Sequence, residues 1–385
     1  MNKKFLLILT TLSLLHSLIG CISESKSEDK LSHSEPQCNL SYRNVDATKA
    51  FTLCKNLAEQ GDSDAQYSLG WMYGKGQGVA KDKALAFQWY QKAAEQGNAL
   101  GQAKLGRMYR FGEGIDKNLI HAFQWYEKAA KQGNACGQTV LGFMYEFGQG
   151  VDKDLTQAIQ WYQKAAEQGD SFGQSVLGKM YEFGKGVEKD LTQAFYWYQK
   201  SAEQGDDFGQ FNLGRMYGFG KGVDKDLAKA FHWYQKAALQ GNDESQAALG
   251  SMYQVGKGVE QDLTQAFQWY QKAAEQGNYS AQGMLGYMYR FGAGIKKDSK
   301  QAIQWYQKAA EQGSAYAQFE LGQMYEMGEG VGKNLTKASQ WYQKAAEQGS
   351  ARGQAALGRV YKLGNGVEKI FNRLFNSIKR KLILH

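Results

Sequence analysis

Proline is almost missing from this chain: among 385 residues it occurs once, at Pro36. Helices elsewhere therefore run without the backbone break that proline imposes. Histidine and cysteine are scarce too, at five and four. His16, His33 and His385 sit near the ends, His121 and His232 lie far apart, and there is neither an H-E-x-x-H nor a paired C-x-x-C. No metal site is expected. No nucleophile stands beside a base in any recognisable motif, which argues against an enzyme. The net charge of +8 is mild for this length and gives no ground to expect nucleic acid as a partner.

What the chain has instead is repetition. Asp154–Gly169 reads D-L-T-Q-A-I-Q-W-Y-Q-K-A-A-E-Q-G, and its Trp-Tyr pair returns every 36 residues from Trp89-Tyr90 to Trp341-Tyr342. A second segment, L-G-x-M-Y, recurs in step from Leu69 to Leu321, with an altered copy at Leu357. A period of this size means stacked units, each unable to bury its apolar face alone.

Both segments read as helices. Ala158, Trp161, Tyr162, Ala165 and Ala166 share one face, so the Trp-Tyr stripe is expected in the core. Asp154 caps the start and Gly169 closes the end in the left-handed conformation. Asp170, or Asn or Ser in other copies, then caps the L-G-x-M-Y helix, which stops at Gly184-Lys185-Gly186. The glycines of Gly218–Gly222 resemble a phosphate loop only superficially, since no Ser or Thr follows the lysine and no strand precedes them. They read as a tight reversal between antiparallel helices.

The ends differ from the array. Residues 1–21 combine Lys3 and Lys4 with an apolar run from Phe5 to Ile19, the pattern of an export signal. Leu18-Ile19-Gly20-Cys21 looks like the lipobox of bacterial lipoproteins, making Cys21 the expected lipidation site; cleavage and secretion is the alternative. Residues 22–43 are polar and read as a flexible linker. Asn44–Gly61 is a worn copy with Leu53 and Cys54 in the Trp and Tyr places. Export permits disulfides, so Cys38 and Cys54 are either a bridge or two free thiols. Residues 370–385 replace the expected next copy with a basic amphipathic helix, to be read as a terminal cap, a membrane- or partner-binding element, or the remnant of a longer array.

Units such as Leu141-Gly142-x-Met144-Tyr145, Gly148-x-Gly150-Val151, Ala158, Trp161-Tyr162, Ala165-Ala166 and Gly169 resemble Sel-like repeats, relatives of the tetratricopeptide repeat, over about 44–369. Gln138 stands where the tetratricopeptide pattern has Trp. The resemblance implies an all-α, right-handed α-solenoid of antiparallel helix pairs. It also implies a non-enzymatic scaffold or adaptor of the bacterial envelope, lipid-anchored in the periplasm or at the surface, without cofactor. A binder or hydrolase of cell-wall fragments is the alternative.

Comparison among the copies points to a partner face. Positions two before, two after and five after the repeat leucine vary from copy to copy, and by analogy with tetratricopeptide arrays they line a concave groove. They include Tyr67, Trp71, Arg107, Arg110, Phe143, Lys179, Phe211, Arg215, Tyr287, Arg290, Phe319 and Arg359. With Lys362 the basic members number seven, against Glu146, Glu182 and Glu326. An acidic, partly apolar protein segment is the expected partner. Drift on a solvated face would leave the same variation.

Overall fold

A computed structural model of the protein describes residues 46–362, and within them every regular element is an α-helix. In chain order these are α1 (Ala47–Glu59), α2 (Ser63–Lys75), α3 (Lys83–Glu95), α4 (Ala99–Phe111), α5 (Leu119–Lys131), α6 (Ala135–Phe147), α7 (Leu155–Glu167), α8 (Ser171–Phe183) and α9 (Leu191–Glu203). Then follow α10 (Asp207–Phe219), α11 (Leu227–Leu239), α12 (Asp243–Val255), α13 (Leu263–Glu275), α14 (Tyr279–Phe291), α15 (Ser299–Glu311), α16 (Ala315–Met327), α17 (Leu335–Glu347) and α18 (Ala351–Lys362). Even-numbered helices carry L-G-x-M-Y (L-G-R-V-Y in α18), and odd-numbered ones from α3 onward carry Trp-Tyr. The lipobox at Cys21, the linker 22–43, Cys38 and the segment 370–385 lie outside the described residues.

The chain divides into two compact units, one of residues 46–213 with 221–223 and the other of 214–220 with 224–362. Each is an α-solenoid segment of repeated helix pairs. Helix ends follow from their caps. In α7, Asp154 accepts from the N–H groups of Thr156 and Gln157 at 2.9 and 3.0 Å. Helix α6 ends at Gly148, whose φ of 67° places it in the left-handed region that glycine tolerates.

Within a repeat, packing turns on one glycine and one ring. A Cβ at Gly142 would lie 2.9 Å from the ring of Tyr162, so the glycine of L-G-x-M-Y lets α7 lay its tyrosine flat on the backbone of α6. Tyr162 is fully buried, and its hydroxyl donates to Glu146 at 3.0 Å. Burying such a ring contributes about 2–3 kcal/mol.

Here the sequence expectation needs correction. The tyrosine of each Trp-Tyr pair is core, whereas the tryptophans, Trp197 and Trp233 among them, are only half-buried. Trp161 is covered from outside by the Lys164 ammonium, 4.3 Å from its ring centroid. Lys128 and Lys308 cover Trp125 and Trp305 in the same way. The physical reason is the facing glycine: the seat that Gly142 leaves on α6 is filled by the Tyr162 ring, so Trp161 is left at the edge of the contact.

Between repeats, hydrogen bonds accompany apolar contacts such as the edge-to-face pair of Phe123 and Tyr145, 5.4 Å apart. Buried Gln138 donates to the Ala130 carbonyl of the preceding repeat at 3.2 Å and accepts from Gln168, at the end of its own helix pair, at 2.7 Å. The other unit repeats this with Gln312 on Gln282 and Gln348 on Gln318. Glutamine at the tetratricopeptide tryptophan position is therefore an inter-repeat clamp. In α1, Cys54 fills the tyrosine place, is fully buried and is disulfide-bonded.

Candidate functional site

Variable positions on the even-numbered helices separate into buried and open sets. Five residues after the repeat leucine, Arg110 and Arg290 are each 4% exposed, and Glu146 and Glu182 are buried with them. These side chains are engaged by the next repeat. Lys185 lies 3.9 Å from Glu146, Lys221 lies 3.5 Å from Glu182, and Arg290 Nε donates to Glu329 at 2.9 Å. Arg110 Nε donates to Gln149 at 3.2 Å. Every one of these pairs spans 39 residues, joining a helix to the G-x-G turn of the following unit.

The two arginines have unequal surroundings. Arg290 Nη1 donates to Glu320 at 2.6 Å and to Gln323 at 3.3 Å. Burial pushes the Glu320 carboxyl up, while the Arg290 and Arg352 charges pull it back. At Arg110 the places of Glu320 and Glu329 are taken by Val140 and Gln149. Its guanidinium stacks 4.6 Å from the Phe143 ring, Nη1 has no hydrogen-bond partner among the described residues, and burial pushes its pKa below the ordinary arginine value.

Two residues after the leucine the side chains are more open. Arg107 is 28% exposed and pairs with Glu113 at 3.2 Å. Lys179, Arg215 and Tyr287 are half-buried, Arg359 is exposed and bonded to Glu326 at 2.7 Å, and Phe143 is buried against Phe147 at 4.4 Å. Trp71 is half-buried. Of the residues two before the leucine, Tyr67, Phe211 and Phe319 are half-buried. Tyr67 packs beside Tyr90 at 5.6 Å, and Phe319 beside Tyr342 at 5.7 Å.

A second row escaped the sequence comparison. The residue six after the leucine, the last in its helix, is apolar in seven of the eight even-numbered helices α2 to α16 and mostly exposed: Phe111 and Phe183 in one unit, and Phe219, Val255, Phe291 and Met327 in the other. The signal was present as F-G-x-G, an aromatic repeated where the helix has no core left to fill. Tyr287 and Phe291 stack at 4.9 Å along one such face.

In the unit containing them, Tyr287 and Phe319 come together in an open cleft of about 490 Å³ shared with Phe291, Tyr316, Glu320, Gln323 and Arg352. Arg290 lies behind it through Glu320 and Gln323. The cleft lining is mixed, with four aromatic rings beside Glu320, Gln323 and Arg352. Among the described residues, no group of three His, Cys, Asp or Glu is placed to hold a metal, and no helix is long and apolar enough to cross a membrane.

Comparison with known proteins accords with this geometry. The Sel1 repeat pattern matches at 63–98, 99–134, 137–170, 171–206, 208–242, 243–278, 280–314, 315–350 and 351–373. Among solved structures, the chain is similar to a protective antigen with an SLR fold from uropathogenic Escherichia coli strains. Identity is 42%, over 86% of this chain and 72% of that one, with a TM-score of 0.73. It is also similar to a Sel1 repeat protein from Oxalobacter formigenes, at 34% identity over 63% of this chain and 96% of that one, with a TM-score of 0.58. Curated proteins offer no match.

Proposed function

The chain belongs to the Sel1 repeat family, whose members are generally non-catalytic protein–protein interaction scaffolds, and we propose that it receives a protein or peptide segment on the exposed face of its even-numbered helices. The observation that carries this reading is the repeated exposed apolar residue at the end of those helices. Phe183 at 54% exposure and Phe219 at 69% serve no core, yet an apolar side chain returns there repeat after repeat. Beside that row, the position two after the leucine holds Arg107, Lys179, Arg215 and Arg359 and no acidic residue in any copy. Aromatic area next to arginine is the composition of binding hot spots, and the charge favours an acidic segment.

The reading includes a place in the cell. Leu18-Ile19-Gly20-Cys21 at the end of an apolar run supports a lipid on Cys21 and attachment to the bacterial envelope. That the similar Escherichia coli protein is a protective antigen agrees with exposure of such arrays to a host. Labelling cells with a fatty-acid analogue tests the anchor, and equal labelling of wild type and Cys21→Ala removes it.

The scaffold reading is tested by a photo-cross-linking residue placed at Phe183 and, separately, at exposed Lys164 on α7. A defined partner captured in intact cells from position 183 and not from 164 supports the face. Identical capture from both positions, or none from 183, rejects it.

A further inference from the structure

The cleft on α14, α16 and α18 has walls, a floor and a rim of different character. Tyr287 and Phe291 form one wall and Tyr316 and Phe319 the other, with Phe291 56% and Tyr316 38% exposed. Large rings left this open are available to a partner. The floor is electrically closed. Arg290 lies beneath it with two carboxylates on its guanidinium, Glu320 at 2.6 Å and Glu329 at 2.9 Å. Its donors are committed, so a ligand anion gains nothing by reaching inward.

The rim is different. Helix α18 carries Arg352, Arg359 and Lys362 and no acidic residue. Arg359 is held by Glu326 at 2.7 Å. Arg352, at the cleft edge, is exposed; its charge acts on Glu320, but among the described residues no carboxylate forms a direct ion pair with it. An occupant is therefore asked for an apolar body between the rings and a negative group just outside them.

We infer that this cleft takes one aromatic or branched apolar side chain of an extended acidic peptide segment, with a neighbouring carboxylate paired to Arg352. The inference rests on the scaffold reading above and deepens it by naming the ligand chemistry and the residues that select it. Arg suits this role because its planar fork meets a carboxylate with two parallel hydrogen bonds. The apolar anchor supplies affinity and the rim charge supplies register. A cleft open along one side lets a peptide backbone pass across it, so the side chain enters without the chain having to end there.

The test uses the purified protein and three fluorescein-labelled decapeptides in fluorescence anisotropy. One has a central phenylalanine flanked by aspartates, one has lysines in place of the aspartates, and one has alanine in place of the phenylalanine. Wild type should bind the first and discriminate against the other two by about tenfold each. Phe291→Ala and Arg352→Glu should each weaken the first peptide by about tenfold. Phe291→Ala alters an exposed side chain and should keep the wild-type melting curve, while Arg352→Gln, which adds no carboxylate beside Glu320, separates lost binding from any loss of stability in Arg352→Glu. Arg352→Glu should in turn gain affinity for the lysine peptide. Wild-type affinity for the first peptide in Phe291→Ala or Arg352→Glu overturns the inference, as does a wild type that fails to bind it. The scaffold reading is judged separately, by cross-linking from Phe183 in the other unit, and stands if only the cleft fails.

Discussion

Arg290 and Glu320 meet across a repeat boundary, 2.6 Å from Nη1 to Oε2, with side chains only 5% and 10% exposed. A pair so nearly sealed from water is costly to break, because the surviving charge stays buried. Glu320→Ala should therefore destabilise by about 3 kcal/mol, with Glu329 limiting the loss. The double change Arg290→Met with Glu320→Leu should recover most of it, since neither charge is then desolvated. Hydrogen exchange of α14 and α16 reads the result locally, as coupling in a solenoid runs mainly between neighbours. A single substitution costing less than about 1 kcal/mol would show that water reaches the pair.

Arg110 occupies the equivalent place without a carboxylate. Gln149→Glu would give it one at the position where Glu329 serves Arg290, and Lys117 stands where Lys297 approaches Glu329 at 3.6 Å. A charge-assisted bond in place of a neutral acceptor should stabilise by about 1 kcal/mol. Urea unfolding of wild type and variant measures it, and a lowered midpoint refutes the account.

Asp206 makes stability depend on pH. Burial, followed by the Asp207 charge, outweighs the hydrogen bonds from Gly209 and Ser201 and pushes its carboxyl up to about 7. Unfolded, it would titrate near about 4. Between those values the folded chain holds the extra proton, so stability falls as pH rises from about 4 to about 7. Asn takes this cap position in other repeats, at Asn134 and Asn242. Asp206→Asn should remove the slope and leave the protein about 1–2 kcal/mol more stable at pH 8, partial solvation moderating the full shift. Parallel melts at pH 5 and pH 8 check this; a variant that loses stability at both would mean the carboxylate is needed as a cap.

Much of the fold could be read because each repeat states its own punctuation. Asp154 and Asn134 cap helices as their residue types require, and Gly148 and Gly169 end them with positive φ. Choosing between Trp161 and Tyr162 was beyond periodicity, because adjacent positions both point inward on a helical wheel. The choice was made by Gly142 on the facing helix, which leaves a flat seat for one ring. The candidate face was displaced for a related reason. A single-helix wheel puts Arg290 and Phe291 100° apart without saying which of them the next repeat covers. Stacking covers Arg290, through Glu320 and Glu329, and leaves Phe291 56% exposed. Recognition of the exposed row had to wait for the neighbour.

That rotation separates two arginines only three residues apart. Arg107 is 28% exposed and paired with Glu113 at 3.2 Å, a surface contact worth about 0–1 kcal/mol. Arg107→Glu should leave the melting curve nearly unchanged and slow association with an acidic partner, more so at low salt where charges act at longer range. Arg110 is 4% exposed and lies against the Phe143 ring. Arg110→Glu would set a carboxylate on the face of an aromatic ring inside the stack, next to buried groups that cannot solvate it. Its cost should exceed about 3 kcal/mol, and any lost binding would follow from unfolding of α4 and α6. Stopped-flow association and thermal melts on the two single variants divide the cases. Should Arg107→Glu unfold the array while Arg110→Glu leaves it intact, the exposed face lies on the other side of these helices.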